Sequence, residues 1–294
     1  MSPKDFAIAM LVIVAWGLNF VVIKYGLDGL PPMLLGGLRF TLVAIPAVFF
    51  IRRPQLPWRW LAAYGAAISF GQFAFLFEAM AHGMPAGLAS LVLQAQAFFT
   101  LIFAAAFLRE RLRAASVLGL LVAAGGLALI GFDNGAATPL FAVILTLGGA
   151  AMWAIGNVIT RHFGHVDLVA LVIWGALIPP VPFFAMSLWL EGPALISHSL
   201  LHIGWSSVLS LVYLSFVATL FGYSFWGKLL SRYPAGKVAP LSLLVPVVGL
   251  SSSAWLLGER LTELQCIGGL LVMAGLLINL LGPRLMQRWS ARTA

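Results

Sequence analysis

The composition of the chain is that of a membrane protein. Its 294 residues are 62% hydrophobic and 9% charged, whereas charged residues make up about a quarter of a soluble domain. This excludes a water-soluble enzyme. The formal net charge of +8 would suggest a nucleic-acid partner in a soluble protein, but Lys and Arg also accumulate in the cytoplasmic loops of membrane proteins. We therefore expect no nucleic-acid partner.

Long apolar runs follow one another along the chain and are separated by charges and by Gly and Pro turns. A membrane-spanning helix needs about 20 predominantly apolar residues. The ten predicted spans are residues 5–25, 32–51, 59–82, 85–108, 114–132, 139–161, 168–190, 203–229, 235–257 and 263–283. The sequence thus predicts an all-α integral membrane protein with ten transmembrane helices.

The distribution of cations predicts the orientation. With the N-terminus inside, Lys24 and Arg260 are the cations of the external loops, and the loops 133–138 and 191–200 are external. The internal loops and tails then hold Lys4, Arg52, Arg53, Arg59, Arg109, Arg111, Arg113, Arg161, Lys228, Arg232, Lys237, Arg284, Arg288 and Arg292. Because cytoplasmic loops carry the excess of Lys and Arg, both termini are expected in the cytoplasm. This basic face should attract anionic lipid headgroups.

The second half of the chain repeats the first at an offset of 149 residues. The motif Pro-Ala-Gly occurs at 85–87 and 234–236, and the motif Glu-Arg-Leu at 110–112 and 259–261. Gly119 and Gly126 recur as Gly268 and Gly275. We predict two five-helix repeats, residues 1–135 and 136–284, followed by a basic cytoplasmic tail, 285–294. Because five is odd, the second repeat enters the membrane from the opposite side, as in transporters that alternate between two open conformations.

Several motifs resemble those of the EamA family of the drug/metabolite transporter superfamily. They are Ala-Trp-Gly-Leu-Asn-Phe at 15–20, Arg-Phe at 39–40, Pro-Ala-Gly-Leu-Ala-Ser-Leu at 85–91 and Leu-Gly-Glu-Arg-Leu at 257–261. The resemblance covers nearly the whole chain and implies ten helices in two inverted EamA repeats, and export of small, often amino-acid-like metabolites. Segments 84–100 and 239–250 are similar to bacterial inner-membrane members that export O-acetylserine and cysteine. The first repeat departs from the second in having Leu91 and Ala97 where the second has Pro240 and Pro246.

Polar groups at hydrocarbon depth mark the candidate substrate site, because an unpaired polar group there is costly and normally faces a partner or water. Trp16 with Asn19 in the first repeat is echoed by Trp153 with Asn157 in the second. The candidate substrate-binding residues are Trp16, Asn19, Arg39, Gln72, Glu78, Gln94, Gln96, Trp153, Asn157, Tyr213, Tyr223 and Ser242. Such a set offers both donors and acceptors, as a zwitterionic amino acid requires.

Some of these residues have alternative roles. Arg39 and Glu78 could form an ion pair, or Glu78 could bind substrate or a proton, or lie exposed at the interface; Glu78 belongs to no motif of the family. Gln94 and Gln96 are two positions apart and cannot share a helical face, so one should line the cavity and the other bond a neighbouring helix. Asn19 and Asn157 could equally form bonds between helices.

Helices five and ten are expected to brace the bundle. Their small residues, Gly119, Gly125, Gly126, Gly268, Gly269 and Gly275, permit close helix contact, and their interiors hold no charged or amide group. Prolines elsewhere interrupt helical hydrogen bonding and permit bending: Pro46, Pro179, Pro180, Pro182, Pro240 and Pro246.

Together these features predict a secondary transporter that exports small amino-acid-like metabolites by alternating access. No catalytic motif, cofactor or metal site is expected, since the chain has no Walker sequence and a single cysteine, Cys266. Proton antiport and facilitated diffusion both stay open, and the oligomeric state is open, with a monomer compatible. The alternatives are a sugar, nucleotide-sugar or lipophilic-drug exporter, a channel, and a membrane-embedded enzyme.

Overall fold

The computed structural model describes residues 1–110, 112–133, 138–164 and 166–293, apart from the side chains at 235, 236 and 283–293. The predicted repeat boundary at 135/136, the centre of the 133–138 loop, Arg111 and the side chains of the basic tail lie outside these residues. The helices are α1 Pro3–Leu27, α2 Pro32–Val48, α3 Trp58–Ala81, α4 Ala86–Leu108, α5 Ala114–Gly131, α6 Leu140–Phe163, α7 Leu168–Leu201, α8 Trp205–Arg232, α9 Ala239–Leu256 and α10 Glu263–Thr293.

The described part of the chain is helical and contains no strand. Within it, nine helices are long and apolar enough to cross a membrane. A tenth helix, α2, has 17 residues and contains Pro46, which cannot donate the helical hydrogen bond to the preceding turn. A short helix, Ala235–Val238, precedes α9. The prediction of an all-helical membrane protein is confirmed, and most predicted bounds agree within a few residues. The backbone of α10 stays helical through the predicted tail as far as Thr293.

Helix α7 differs from the prediction, which placed a loop at 191–200. It breaks after Gly175, resumes at Pro180, passes through a π-helical segment Ser187–Glu191 and continues as the helix Gly192–Leu201. The predicted loop is therefore wrong. Gly192 has φ of 78°, a left-handed conformation that glycine adopts without strain. Pro193 follows at the first turn of the new segment, where its missing N–H has no cost.

Irregular helical segments occur at related positions in the two halves. A π-helical segment occupies Gly65–Gly71 in α3 and another occupies Tyr213–Phe221 in α8. A 3₁₀ turn occupies Leu93–Ala95 in α4 and another, Ala239–Leu243, begins α9. The offset of 149 residues that relates the sequence motifs also relates these segments to within a few residues. Such segments are frequent at functional positions of helices.

Helices α5 and α10 pack through glycines. A Cβ at Gly119 would lie 2.5 Å from the Gly275 carbonyl oxygen, and a Cβ at Gly275 would lie 2.4 Å from the Gly119 carbonyl oxygen. Gly126 and Gly268 face each other in the same reciprocal way, at 2.4 and 2.6 Å. The predicted close packing is thus confirmed at these positions. The predicted close contact is wrong for Gly125, because a Cβ atom added there would have no neighbouring atom within 4 Å.

Candidate functional site

A cavity of about 480 Å³ lies within the bundle, in the size range of small-molecule sites. Its described lining comes from α1 to α4 and from α6 to α9, and includes no residue of α5 or α10. Ten of the predicted site residues line it: Trp16, Asn19, Arg39, Gln72, Gln94, Gln96, Trp153, Asn157, Tyr223 and Ser242. The fold therefore brings together groups that are more than 200 residues apart in sequence.

Among the described residues that line the cavity, Arg39 is the only one that carries a charge. Its side chain is only 2% exposed, and its Nη2 donates a hydrogen bond to Thr219 Oγ1 at 3.1 Å. The guanidinium carbon lies 4.0 Å from the centroid of the Phe73 ring, a favourable cation–π distance. Nε and Nη1 are buried without a hydrogen-bond partner in the described structure. Two donors of a buried cation are thus free.

The proposed ion pair between Arg39 and Glu78 is wrong. The Glu78 carboxylate lies 3.3 Å from Nδ1 of His82, the residue that follows the end of α3, since side chains four residues apart meet on a helical turn. Arg39 turns instead toward Thr219 and the cavity. Glu78 does not belong to the described lining, so this predicted site residue stands apart from the others.

Two buried amide oxygens in the cavity wall are also without partners. Asn19 is 8% exposed and Gln72 is 2% exposed, and neither Asn19 Oδ1 nor Gln72 Oε1 has a hydrogen-bond partner among the described groups. Buried polar atoms are nearly always paired, and those that are not need a physical reason. Both residues line the same cavity as Arg39. Its wall therefore offers unused acceptors as well as unused donors.

Gln94 and Gln96 both line the cavity, so the prediction that only one of them does is wrong. The predicted bond to a neighbouring helix is confirmed for Gln96. Gln94 lies in the 3₁₀ turn Leu93–Ala95, and Gln96 begins the helical segment that follows it, so regular α-helical spacing does not hold across them. Gln96 also accepts a hydrogen bond from Asn157 Nδ2 at 2.9 Å, and the same amide is 3.2 Å from Thr100 Oγ1. Asn157 therefore both lines the cavity and joins α6 to α4.

Aromatic rings form one side of the cavity. The centroid of the Trp16 ring lies 5.4 Å from that of Tyr223 and 5.2 Å from that of Trp226. The Trp16 indole donates to the Ala218 carbonyl oxygen at 2.9 Å, so its N–H is already paired, and Trp16 belongs to the described lining. The sequence prediction missed Trp226, whose lining role becomes visible only once α8 is placed against α1.

The π-helical segment of α8 organises this region. Its Thr219 hydroxyl holds the Arg39 side chain, and its Ser215 hydroxyl donates to the Arg39 carbonyl oxygen at 3.1 Å. The prediction that Tyr213 lines the site is wrong, because this residue does not belong to the described lining. Its hydroxyl donates to the Ala15 carbonyl oxygen at 2.9 Å. Sequence reasoning missed this segment; the hydroxyls at 215 and 219, one turn apart, were the available signal.

Two glutamates, Glu191 and Glu259, cap helices that are distant from them in the sequence. The Glu259 carboxylate accepts from the backbone amides of Ala86 at 2.7 Å and Gly87 at 2.9 Å. Glu191 does the same for two amides in the first turn of α2, at 2.6 and 3.1 Å. Each helix has a proline at its N-cap and no side-chain cap of its own. Distant acids therefore satisfy the free amides and interact favourably with the helix dipoles.

The described residues contain no group of three or more His, Cys, Asp or Glu that could hold a metal ion. The chain is a multi-pass helical membrane protein with an internal cavity whose wall includes several polar side chains. The model of the EamA-like transporter family matches residues 5–132 and 140–281. The chain belongs to this family, as the sequence motifs predicted.

Several curated relatives are similar to the chain over most of its length. A protein of Escherichia coli strain K12 named probable amino-acid metabolite efflux pump is 53% identical, covering 97% of each chain. The protein of the same name from Salmonella typhimurium is 54% identical over 98% of each. A probable terminal-alkyne amino-acid exporter of Streptantibioticus cattleyicolor is 26% identical, with 92% of this chain and 91% of that protein covered.

A solved crystal structure has a similar fold. It matches with a TM-score of 0.63 and 22% sequence identity, and the match covers 97% of this chain and 99% of that chain.

Proposed function

We propose that the protein is a secondary transporter that exports small amino-acid-like metabolites, such as O-acetylserine, cysteine or related amino acids, from the cytoplasm. The observation that carries this proposal is the cavity of about 480 Å³, whose wall combines unpaired donors and unpaired acceptors deep in an apolar bundle. Unpaired polar groups inside a membrane are costly and mark substrate pathways. The names of the relatives from Escherichia coli and Salmonella typhimurium support the substrate class.

We propose that transport uses alternating access between two inverted five-helix repeats. The two family matches, 5–132 and 140–281, support two repeats of one kind. The reciprocal contacts of Gly119 with Gly275 and of Gly126 with Gly268 are what a pseudo-two-fold axis between α5 and α10 would produce. The paired π-helical and 3₁₀ segments also support it. Such symmetry lets one chain adopt two related conformations that open to opposite sides.

We propose the bacterial inner membrane as the location, with both termini in the cytoplasm. The excess of Lys and Arg in the loops assigned to that side supports this orientation. Anionic lipid headgroups are the partners that this basic surface would attract.

Proton coupling has little support from the cavity wall. Its described lining contains neither a carboxylate nor a histidine, and Glu78 lies outside it beside His82. We therefore propose that the substrate gradient drives export.

Counterflow in proteoliposomes tests the proposed function. Each vesicle preparation is loaded with one unlabelled compound, and the same compound is added outside in labelled form. A labelled amino acid should accumulate, whereas a labelled sugar, nucleotide-sugar or lipophilic cation should not. Saturation with rising concentration distinguishes a carrier from a channel. Accumulation of a sugar or a lipophilic cation, without any amino acid, would contradict the proposal.

A further inference from the structure

Three residues that line one cavity hold four buried polar atoms without a hydrogen-bond partner in the described structure, and the chemistry of these atoms is complementary. Arg39 contributes two free donors, Nε and Nη1, while Asn19 Oδ1 and Gln72 Oε1 are free acceptors. From these atoms we infer that the cavity recognises both ends of an α-amino acid: Arg39 binds the carboxylate, and the two amide oxygens bind the ammonium group. This inference rests on the proposed function and assigns the groups that select its substrate.

The carboxylate half depends on Arg39. A guanidinium group presents donors in a planar fork that matches a carboxylate with two parallel hydrogen bonds. Thr219 occupies Nη2, and Phe73 covers the guanidinium at 4.0 Å, so the side chain is already held in position while Nε and Nη1 stay available. Because the described lining contains no carboxylate, a bound substrate carboxylate would supply the counter-charge that this buried cation lacks.

The ammonium half depends on neutral acceptors. An ammonium group is a donor without acceptor capacity, and the oxygens of Asn19 and Gln72 lie buried and unused. The rings of Trp16 and Tyr223, 5.4 Å apart in the same wall, offer further stabilisation through cation–π contact. Since no fixed anion contributes, a cation that lacks a carboxylate would face Arg39 without compensation.

The expected selectivity follows directly. A substrate needs a free carboxylate and a free amino group together. Methyl esterification removes the carboxylate charge that pairs with Arg39. N-acetylation removes the charged ammonium group, whose hydrogen bonds the amide oxygens accept. Each loss of a charge-assisted hydrogen bond at a buried site should weaken binding by about tenfold or more.

Competition in the counterflow assay tests this selectivity in the unmodified protein. The competitors are L-cysteine and L-serine, each with its methyl ester and its N-acetyl derivative, at a mildly acidic pH that keeps the ester's amino group protonated. Both derivatives should compete at least about tenfold less well than the free amino acids. If either derivative competes equally well, the corresponding half of the inference is wrong, while amino-acid export itself stands.

Single substitutions assign each half to its residues. Arg39→Gln should bring the free acid and its methyl ester to nearly equal affinity and leave the discrimination against the N-acetyl derivative. Asn19→Leu should do the reverse. Lys24→Gln is the matched control, since it removes a cation from α1 that lies outside the described lining, and it should retain both preferences. A merely structural role would lower all affinities together.

The outcomes separate the inference from the function on which it rests. A folded Arg39→Gln protein that still prefers the free acid to the ester would overturn the assignment. If Arg39→Gln does not fold, Arg39→Lys should give an intermediate preference, because it keeps the charge and loses the fork; an unchanged preference would contradict the inference. Exchange of another metabolite class, with no amino acid exchanged by the unmodified protein, would instead contradict the proposed function.

Discussion

Arg39, which we propose as a substrate-binding residue, lies where burying a charge has a high cost. A charge at hydrocarbon depth is expensive unless it is paired, and this one is 98% buried with one hydrogen bond and two aromatic neighbours, Phe40 and Phe73. The residual cost can be recovered when a ligand completes its partners. We propose that a substrate provides the partners that these buried groups lack in the described structure.

The two glutamines of α4 are expected to behave differently when replaced by leucine. Gln94→Leu should reduce counterflow about fivefold or more without lowering the melting temperature, because Gln94 lines the cavity without a side-chain partner in the described structure. Gln96→Leu should also destabilise the protein, by about 1 kcal/mol or more, because it leaves Asn157 Nδ2 without its 2.9 Å acceptor.

Transport kinetics and melting temperatures in detergent measure both effects. The double variant with Asn157→Leu should lose less stability than the sum of the two single changes. Equal stability losses at 94 and 96, or none at either, would contradict the roles assigned to these side chains.

Residues of the candidate site could be predicted from the sequence where the chemical type of the side chain was enough to select them. Polar side chains in apolar runs are few, so Asn19, Arg39 and Gln72 could be selected from the sequence. Their partners could not, because Thr219 and Phe73 lie far from Arg39 in the chain and hydroxyls are common within helices. The choice of His82 over Arg39 as the partner of Glu78 likewise depends on how helices α2 and α3 are rotated.

At the scale of elements, the contact between α5 and α10 rests on backbone approach. Gly126→Ala should lower stability by about 1–3 kcal/mol, because its Cβ would lie 2.4 Å from the Gly268 carbonyl oxygen and backbone cannot move aside cheaply. Gly125→Ala is the matched control on the same helix. It meets nothing within 4 Å and should be neutral or stabilising, since alanine favours helix by about 1 kcal/mol over glycine.

Melting temperatures of the purified variants in one detergent measure this difference. Similar melting temperatures for the alanine variants at 125 and 126 would show that α5 does not pack against α10 through this face.

Helix positions followed from the apolar runs, whereas helix irregularities did not. The ten runs gave most bounds to within a few residues because span length is fixed by the bilayer. The π-helical segments Gly65–Gly71 and Tyr213–Phe221 contain no proline that would have indicated an irregular helix. Helix Gly192–Leu201 was missed because its Gly-Pro start and its polar residues Ser197, His198 and Ser199 are typical of a loop. The capping by Glu191 and Glu259 was missed because it joins residues more than 150 positions apart.

At the scale of the whole molecule, the cavity lies between the two halves of the chain. Residues from 16 to 96 form one part of its wall and residues from 153 to 245 form the other. Movement of one half against the other would therefore change access to every binding group at once. The helices that line the cavity carry the irregular segments, while α5 and α10 form a tight pair outside it. We expect the tight pair to brace the bundle and the irregular helices to bend.

The central claim is that this one cavity carries the substrate and opens to each side in turn. The most direct test places a single cysteine at Ser242, which lines the cavity, in a background with the exposed Cys266 replaced by alanine. Ser206→Cys, at an exposed position outside the described lining, is the control. An impermeant thiol reagent should label position 242 from either side of oriented proteoliposomes, amino-acid substrate should slow the labelling, and full labelling should abolish counterflow, whereas labelling at 206 should leave it intact. Unchanged counterflow after complete modification of position 242 would contradict the claim.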